Sequence, residues 1–591
     1  MMKLLGAAFF ILHSSFFISC SDWDDHFDAS SSVLESQHAT LWENISQNGN
    51  LSQFAALLQQ AGYDQRLSAS QTFTVWAPVD GSFDYSTLAT YNKERLTREF
   101  IENHIARNNY PATGSFAQSI YMLNEKKMLF DGNNSGDFNA SGSSGNSFHF
   151  QGIPLDQKNL SSSNGTIHTL RGSVPFLSSI YESLNSYDFA LDSISDYIHS
   201  FDEKKIDEEK SKVGPVTNGQ QTYLDTVYYE RNLLFDYYDA YINREDSSYT
   251  MLMPTNKAWH SAVEYIRGLC NYLTTFDFMN NVVDKKSVKV SLQDAEALRD
   301  SVTKMYMMAG LVFNNNIYDN KKLKTFTQGA ALNCDSLITT TGFKMYADDA
   351  ADLFVGAKQV VKSNGSIWVT DSVRMPTWTV WNPEIRIEAE YSNYWAGYDN
   401  VKDMPAVVEV NRQNSEVAGT VSNSRYIELT PLSAAVNPEM FFYLPNVRST
   451  EYSIYVVFLP GNINSKHHTG ELKKNHIEFT VGYVDETGKK TESVFKDVDS
   501  AVDSLNVDGF TARIDTTYVG DVTFPMSYVG LSSSGQTYAP YLRVRSRVNS
   551  RQVALYDRTL RIDCVILRPK ELDNRLKEQP GYHYDKGLYQ N

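Results

Sequence analysis

Cysteine is almost missing from this chain. Four occur in 591 residues, Cys20, Cys270, Cys334 and Cys564, and no two stand in C-x-x-C spacing. A disulfide scaffold is excluded, and the domains must be held by their cores. Cys270 and Cys334 either pair with each other or remain two buried free thiols. Also missing are G-x-x-x-x-G-K-[ST], a G-x-G-x-x-G after a strand, H-E-x-x-H and G-x-S-x-G. Their absence removes the usual nucleotide-binding, metalloprotease and serine-hydrolase signatures. Basic charge is short as well: 53 Lys and Arg face 70 Asp and Glu, for a net charge of −17. Nucleic-acid phosphates repel such a surface, which leaves neutral or basic partners. None of the abundant carboxylates is marked by spacing as a catalytic pair. His467, His468 and His476 form the densest histidine group, but without metal-ligand spacing they read as a solvated loop.

The one long apolar run lies at the start. Lys3 precedes a mostly apolar stretch from Leu4 to Ile18, which is too short to cross a bilayer and is interrupted by His13, Ser14 and Ser15. Residues 1–19 therefore read as a signal peptide. The stretch ends Ile18-Ser19-Cys20, which resembles a bacterial lipobox. That resemblance implies cleavage before Cys20 and lipidation of Cys20, so that the outer membrane is a partner through a lipid anchor. The bland alternative is a plain secretory signal with an incidental cysteine. Residues 20–37 form an acidic tether opening Ser21-Asp22-Trp23-Asp24-Asp25. It resembles the surface-export signal of Bacteroidetes lipoproteins and implies a protein facing the cell exterior.

What is present in excess is repetition. Ser163-Asn164-Gly165-Thr166-Ile167-His168 returns as Ser363-Asn364-Gly365-Ser366-Ile367-Trp368. Upstream of each copy lies a β-rich run ending in proline: Phe73 to Pro78, then Tyr249 to Pro254. Two motifs recurring in one order indicate a duplicated domain. Asn-Gly predicts a hairpin turn with positive φ at both turn positions. Proline predicts a strand end, and Asp80 or Asn256 a cap for the helix or turn that follows. Leu51, Phe54, Leu57, Leu58 and Ala61 have helical spacing, stopped by Gly62. Leu96, Phe100, Ile101, His104 and Ile105 form a second apolar face, on which His104 reads as a satisfied structural histidine.

Together these motifs resemble the fasciclin domain. Thr74 to Phe83, Asn103-His104-Ile105 and Asn164 to Thr169 match its three ordered motifs in the first copy; the second copy matches at two, with Trp259 as the closing aromatic and Trp368 in place of histidine. The resemblance implies an α+β domain at 38–176 and another at 177–378, and a role in adhesion or binding rather than catalysis. Asn103 stands where the family has tyrosine, which weakens transfer of an adhesive role to that pair. The second domain carries an insertion. Phe201 to Lys212 is charge-dense and predicts a helix broken by Gly214-Pro215, Tyr223 to Ile242 is crowded with aromatics that read as core, and Leu292 to Met308 predicts a charged helix.

Pro376 to Pro383 reads as a stiff connection. Beyond it come short alternating runs, at Arg386–Tyr391, Ala406–Val410, Tyr426–Thr430, Met440–Leu444, Ser453–Leu459, Ile477–Tyr483, Tyr541–Val548 and Leu560–Leu567. They predict an all-β sandwich over 379–570, followed by a polar tail at 571–591. Its two ends resemble the jelly-roll, galactose-binding type of carbohydrate-binding module. On that resemblance Glu388, Glu390 and Asp563 are ligands for a structural calcium, against the bland reading of charged strand edges. Tyr391, Tyr394, Trp395 and Tyr398 follow in an expected loop, where aromatic faces stack on sugar or plug the end of the sandwich. No cofactor is required. The expectation is a non-catalytic outer-membrane lipoprotein for glycan binding and protein docking. Its expected partners are a polysaccharide and, by resemblance, an outer-membrane transporter with its lid lipoprotein. The alternative is a structural or adhesive surface protein that binds proteins only.

Overall fold

Phe73–Pro78 lies at the centre of a four-stranded sheet in the computed structural model. It runs parallel to Gly165–Leu170, with Ile105–Arg107 and Leu160–Ser162 at the edges. The structure describes residues 38–133, 147–185, 190–206, 208, 211–217, 220–225, 228–465, 472–500, 512–533 and 536–579. Cys20, residues 1–37, most of the Gly-Ser-Asn-rich stretch 132–147, His467, His468 and the end of the tail lie outside them. The chain divides into two units, Met1–Leu177 and Ser178–Asn591.

In the first unit the central strand is buried on both faces, and alternation of its side chains decides which layer each residue joins. Phe73, Val75 and Ala77 pack with Leu41, Ile45, Phe54, Leu57 and Leu58 of the helices Leu41–Gln47 and Ser52–Ala61. Trp76 faces the other way, onto Phe130, Phe150 and Ile120 of a second sheet built from Phe116–Tyr121, Lys127–Asn133, Ser147–Phe150 and Ile153–Pro154. Gly62 ends its helix as expected, at φ +73°, a conformation that glycine adopts without steric cost.

The second unit contains a sheet of the same order: Val312–Asn314, Tyr249–Pro254, Gly365–Thr370, Lys358–Lys362. The register repeats too. Phe73 pairs with Gly165 and Pro78 with Leu170; Tyr249 pairs with Gly365 and Pro254 with Thr370. The charged helix expected over Leu292 to Met308 is present as Ala295–Ala309. The helix expected from Phe201 to Lys212 is not. Asp202–Ile206 is a strand paired with Tyr228–Asn232, and Lys212–Thr217 pairs with Gln220–Asp225. The run has charge density but no apolar stripe at helical period, so strand pairing with the β-prone Tyr228–Asn232 wins. Gly214-Pro215 sits where the register of that hairpin slips, the place in a strand pair that tolerates proline.

Two six-stranded sheets follow. One has the order Ala406–Glu409, Arg425–Leu429, Leu560–Pro569, Glu451–Phe458, Asp515–Thr523, with Ile385–Glu388 also on Leu560–Pro569; the other runs Trp395–Asp399, Glu439–Tyr443, Tyr541–Ser546, Lys474–Val484, Lys490–Asp499, with Tyr556–Asp557 beside Lys474–Val484. All eight expected runs are strands, and the first pairs with the last through Ile385 and Leu567. Ile454, Val456 and Phe458 of one sheet share a core with Phe442, Phe479 and Val544 of the other. The stiff connection Pro376 to Pro383 is packed into the core. Thr377–Val380 is a helical turn with Val380 and Trp381 buried. One continuous core joins the second four-stranded sheet to the sandwich. Across that junction Tyr272 Oη donates to the Val529 carbonyl at 2.9 Å and Asn271 Nδ2 to the Pro525 carbonyl at 2.9 Å. The start of the polar tail is a docked helix, Lys570–Glu578, with Asp573 fully buried.

Candidate functional site

The repeated Asn-Gly pair is a clamp rather than the centre of a turn. Ser162 pairs with Gly165 and Lys362 with Gly365, so the turns are Ser163-Asn164 and Ser363-Asn364, and neither asparagine has positive φ. Asn164 Oδ1 accepts from the Leu41 N–H at 2.7 Å, while its Nδ2 donates to the Leu67 and Ala69 carbonyls at 2.8 and 2.7 Å. Asn364 does the same, accepting from Ile180 N–H at 2.9 Å and donating to Ile242 and Arg244 carbonyls at 2.7 and 3.0 Å. Glycine is needed next to it for space: a Cβ on Gly165 would lie 1.9 Å from the Phe73 carbonyl oxygen, and on Gly365 1.8 Å from that of Tyr249. Asp80 and Asn256 cap helices, but preceding ones. Asp80 accepts from Ser52 and Gln53 N–H at 3.1 and 2.9 Å, and Asn256 from Ser193 N–H at 2.9 Å. The strand end returns to a helix start already made, which sequence order does not disclose.

Of the three carboxylates expected to hold a cation, Glu388 and Asp563 come together, whereas Glu390 is not in that group. Glu388 and Asp563 place oxygens within 4.8 Å of each other and of the Cys564 sulfur. Ser422 bridges them, its hydroxyl donating to Glu388 at 2.8 Å and its N–H to Asp563 at 3.2 Å. Asn423 Nδ2 donates to Glu390 at 3.0 Å and to the Tyr391 hydroxyl at 3.2 Å. The second oxygens of Glu388 and Glu390 are buried without a hydrogen-bond partner. Burial pushes the Glu388 carboxyl above its ordinary range against the lowering effect of Ser422. Burial pushes Asp563 well above it, with repulsion from Glu388 adding to the rise. Crowded, buried carboxylate oxygens are a donor set that fits calcium. The Cys564 thiol is the wrong donor for that ion, and burial raises its pKa well above the usual range.

The aromatic quartet is not in one loop. Tyr391 precedes a single 3₁₀ turn, Ser392–Tyr394, which Tyr394 closes, whereas Trp395 and Tyr398 belong to the strand Trp395–Asp399. Tyr391 and Tyr398 are exposed; Tyr394 and Trp395 pack against the core, and Trp395 Nε1 donates to the Ala389 carbonyl at 2.7 Å. The plug reading thus describes two of the four. Cys270, Cys334 and Cys564 are free, so no Cys270–Cys334 bridge forms. His476 sits in a strand rather than a loop, with Nδ1 2.6 Å from Asp499.

The model of the fasciclin domain matches residues 49–172. These residues are a fasciclin domain. Several solved structures resemble the chain. One is the FAS1 domain pair of the insect cell adhesion molecule fasciclin I, at 12% identity over 56% of this chain and 99% of that one, TM-score 0.19. Another is the CBM35 of Cellvibrio japonicus Abf62, at 9% identity over 31% and 92%, TM-score 0.17. A third is the Podospora anserina GH26-CBM35 β-(1,4)-mannanase, at 10% identity over 32% and 28%, TM-score 0.17. No curated protein matches the sequence.

Within the fasciclin domain the two motif histidines are structural. His104 is fully buried, its Nδ1 2.8 Å from the Phe100 carbonyl and its Nε2 accepting from the Val174 N–H at 3.0 Å. Burial lowers its pKa to about 4, and that of His168 likewise. His168 lies opposite Trp76 in the register, and Trp368 lies opposite Leu252. The indole has moved one strand over between the copies, which keeps a large ring in each core.

Proposed function

We propose that the chain is a non-catalytic surface lipoprotein that binds glycan through its sandwich and docks protein partners through fasciclin domains. The order and register shared by the two four-stranded sheets support reading 177–378 as a second fasciclin domain. The sandwich is read as a jelly roll of the carbohydrate-binding-module kind. The observation that carries the glycan reading is the carboxylate pair Glu388 and Asp563, with Glu390 two residues along the chain tied through Asn423 to exposed Tyr391. Those three carboxylates would hold a structural calcium, which would stiffen the segment presenting Tyr391. Tyr391 and Tyr398 then offer ring faces to sugar. Cys20 carries the lipid anchor to an outer membrane, with the body facing the cell exterior. There the chain serves as accessory to a glycan-uptake transporter and its lid lipoprotein.

Affinity electrophoresis of the lipid-free chain through polysaccharide gels tests the binding. Retardation on at least one polysaccharide, reduced by Tyr391→Ala, is expected; no retardation on any of a broad panel sinks glycan binding by the sandwich. Calcium is expected to raise the unfolding temperature of the second unit and EDTA to lower it, read by calorimetry. An unchanged transition removes the ion. Release of reducing sugar by the chain would overturn the non-catalytic assignment. The second reading, an adhesive protein with protein partners only, is favoured by the fasciclin domain itself and stands if every gel is blank.

A further inference from the structure

A separate cavity of about 340 Å³ opens in the insertion of the second unit, between the strand Tyr228–Asn232, the helix Leu233–Tyr238 and the turn that follows. Small-molecule sites occupy roughly 300–1,000 Å³, so this one suits a single ring rather than a chain of them. Its lining is chemically specific: Arg231, Arg244, Asp236, Asn243, Tyr241 and, as the apolar wall, the buried Phe235. Asp236 is spoken for. It forms an ion pair with Arg231 and accepts from the Tyr241 hydroxyl at 3.1 Å. Hydrogen bonding from Arg231 holds its carboxyl below the usual range, so it remains a charged acceptor. Arg244 is different. Its guanidinium lies 4.1 Å over the Tyr241 ring and, among the described residues, meets no carboxylate at ion-pair distance. The backbone under it is held in place: Asn364 of the repeated clamp binds the Arg244 and Ile242 carbonyls, and the Tyr249 hydroxyl accepts from the Tyr241 N–H at 3.3 Å.

The cavity thus carries two guanidinium groups against one carboxylate, in a chain of net charge −17. We propose that it binds an acidic monosaccharide unit, a hexuronate, with Arg244 on the ligand carboxylate. The planar guanidinium offers two parallel donors that match a carboxylate. Asn243 accepts from and donates to ring hydroxyls, and Phe235 and Tyr241 cover the apolar C–H side. The site stands on other elements than Tyr391 and the carboxylate cluster, so it holds or fails independently of glycan binding by the sandwich.

Calorimetric titration of the lipid-free chain with D-glucuronate and D-galacturonate tests it, with glucose and acetate as controls. A ligand of this size is expected to bind with Kd on the order of 1 mM. Arg244→Ala is expected to weaken binding about tenfold or more, Arg244→Lys by an intermediate factor, and Tyr391→Ala not at all. Arg244 is exposed, so its variants are expected to keep the parent unfolding midpoint. Equal binding of glucose would overturn the carboxylate contact, and equal binding of acetate the sugar ring. Absence of saturable binding by either hexuronate, or binding indifferent to Arg244→Ala, would overturn the site.

Discussion

Asn164 satisfies a buried N–H of one segment and two carbonyls of another, so its loss strands three polar groups at once. Asn164→Ala is expected to cost about 3 kcal/mol, read as a lower urea midpoint of the fasciclin domain. Gly165→Ala is expected to cost a similar amount or prevent folding, because the new methyl meets the Phe73 carbonyl oxygen. His104 and His168 give the domain a pH dependence with a definite sign. Both are held to about 4 against 6.5 for an ordinary histidine, so between those values the unfolded chain binds more protons. Stability is full above about pH 6.5 and falls as pH drops toward 4, by on the order of 3 kcal/mol per histidine. Unfolding midpoints between about pH 7 and pH 4.5 check this, and His104→Gln is expected to flatten the slope. Sequence spacing already put His104 on an apolar face. It could not say that His168 packs under Trp76, because the partner comes from a strand some ninety positions earlier, joined in parallel.

The helix Lys570–Glu578 is the element that composition most misjudged. Its residues are polar, yet Asp573 is buried and accepts from Ser453 at 2.9 Å, Tyr455 at 2.6 Å and Arg568 at 3.4 Å, with Lys577 at 2.6 Å. Burial pushes that carboxyl up, but the donors from Lys577, Tyr455 and Ser453 outweigh it and hold the pKa low. The stabilisation is present above the unfolded pKa and is lost as pH falls through the folded one. Asp573→Ala would remove a carboxylate partner from the buried Arg568, which also pairs with Glu384. A loss of about 3 kcal/mol in the second unit is expected, measured by urea unfolding. The strands of the sandwich were far more legible, because alternation over short runs is a local signal. The insertion at Asp202–Ile206 was not, since charge along a run says nothing about period.

At the scale of the molecule, calorimetry of the whole chain is expected to resolve two unfolding transitions, not three. Met1–Leu177 has its own core, while Ser178–Asn591 shares one across the second sheet and the sandwich. The sandwich expressed from residue 379 onward is accordingly expected to lack a cooperative transition that residues 178–579 retain. Repetition of Asn-Gly and proline-ended strands determined the duplicated sheet, and short alternating runs determined the sandwich, because both are properties of neighbouring residues. Tertiary structure decided the rest. It turned Asn164 and Asn364 from turn formers into clamps, and Asp80 and Asn256 into caps of helices that precede them. It set the Cys564 sulfur rather than Glu390 against Glu388 and Asp563, and it built a cavity around Arg244 that no motif announced. Each depends on groups far apart in the chain, whose meeting is set by sheet register and shared core rather than by local spacing.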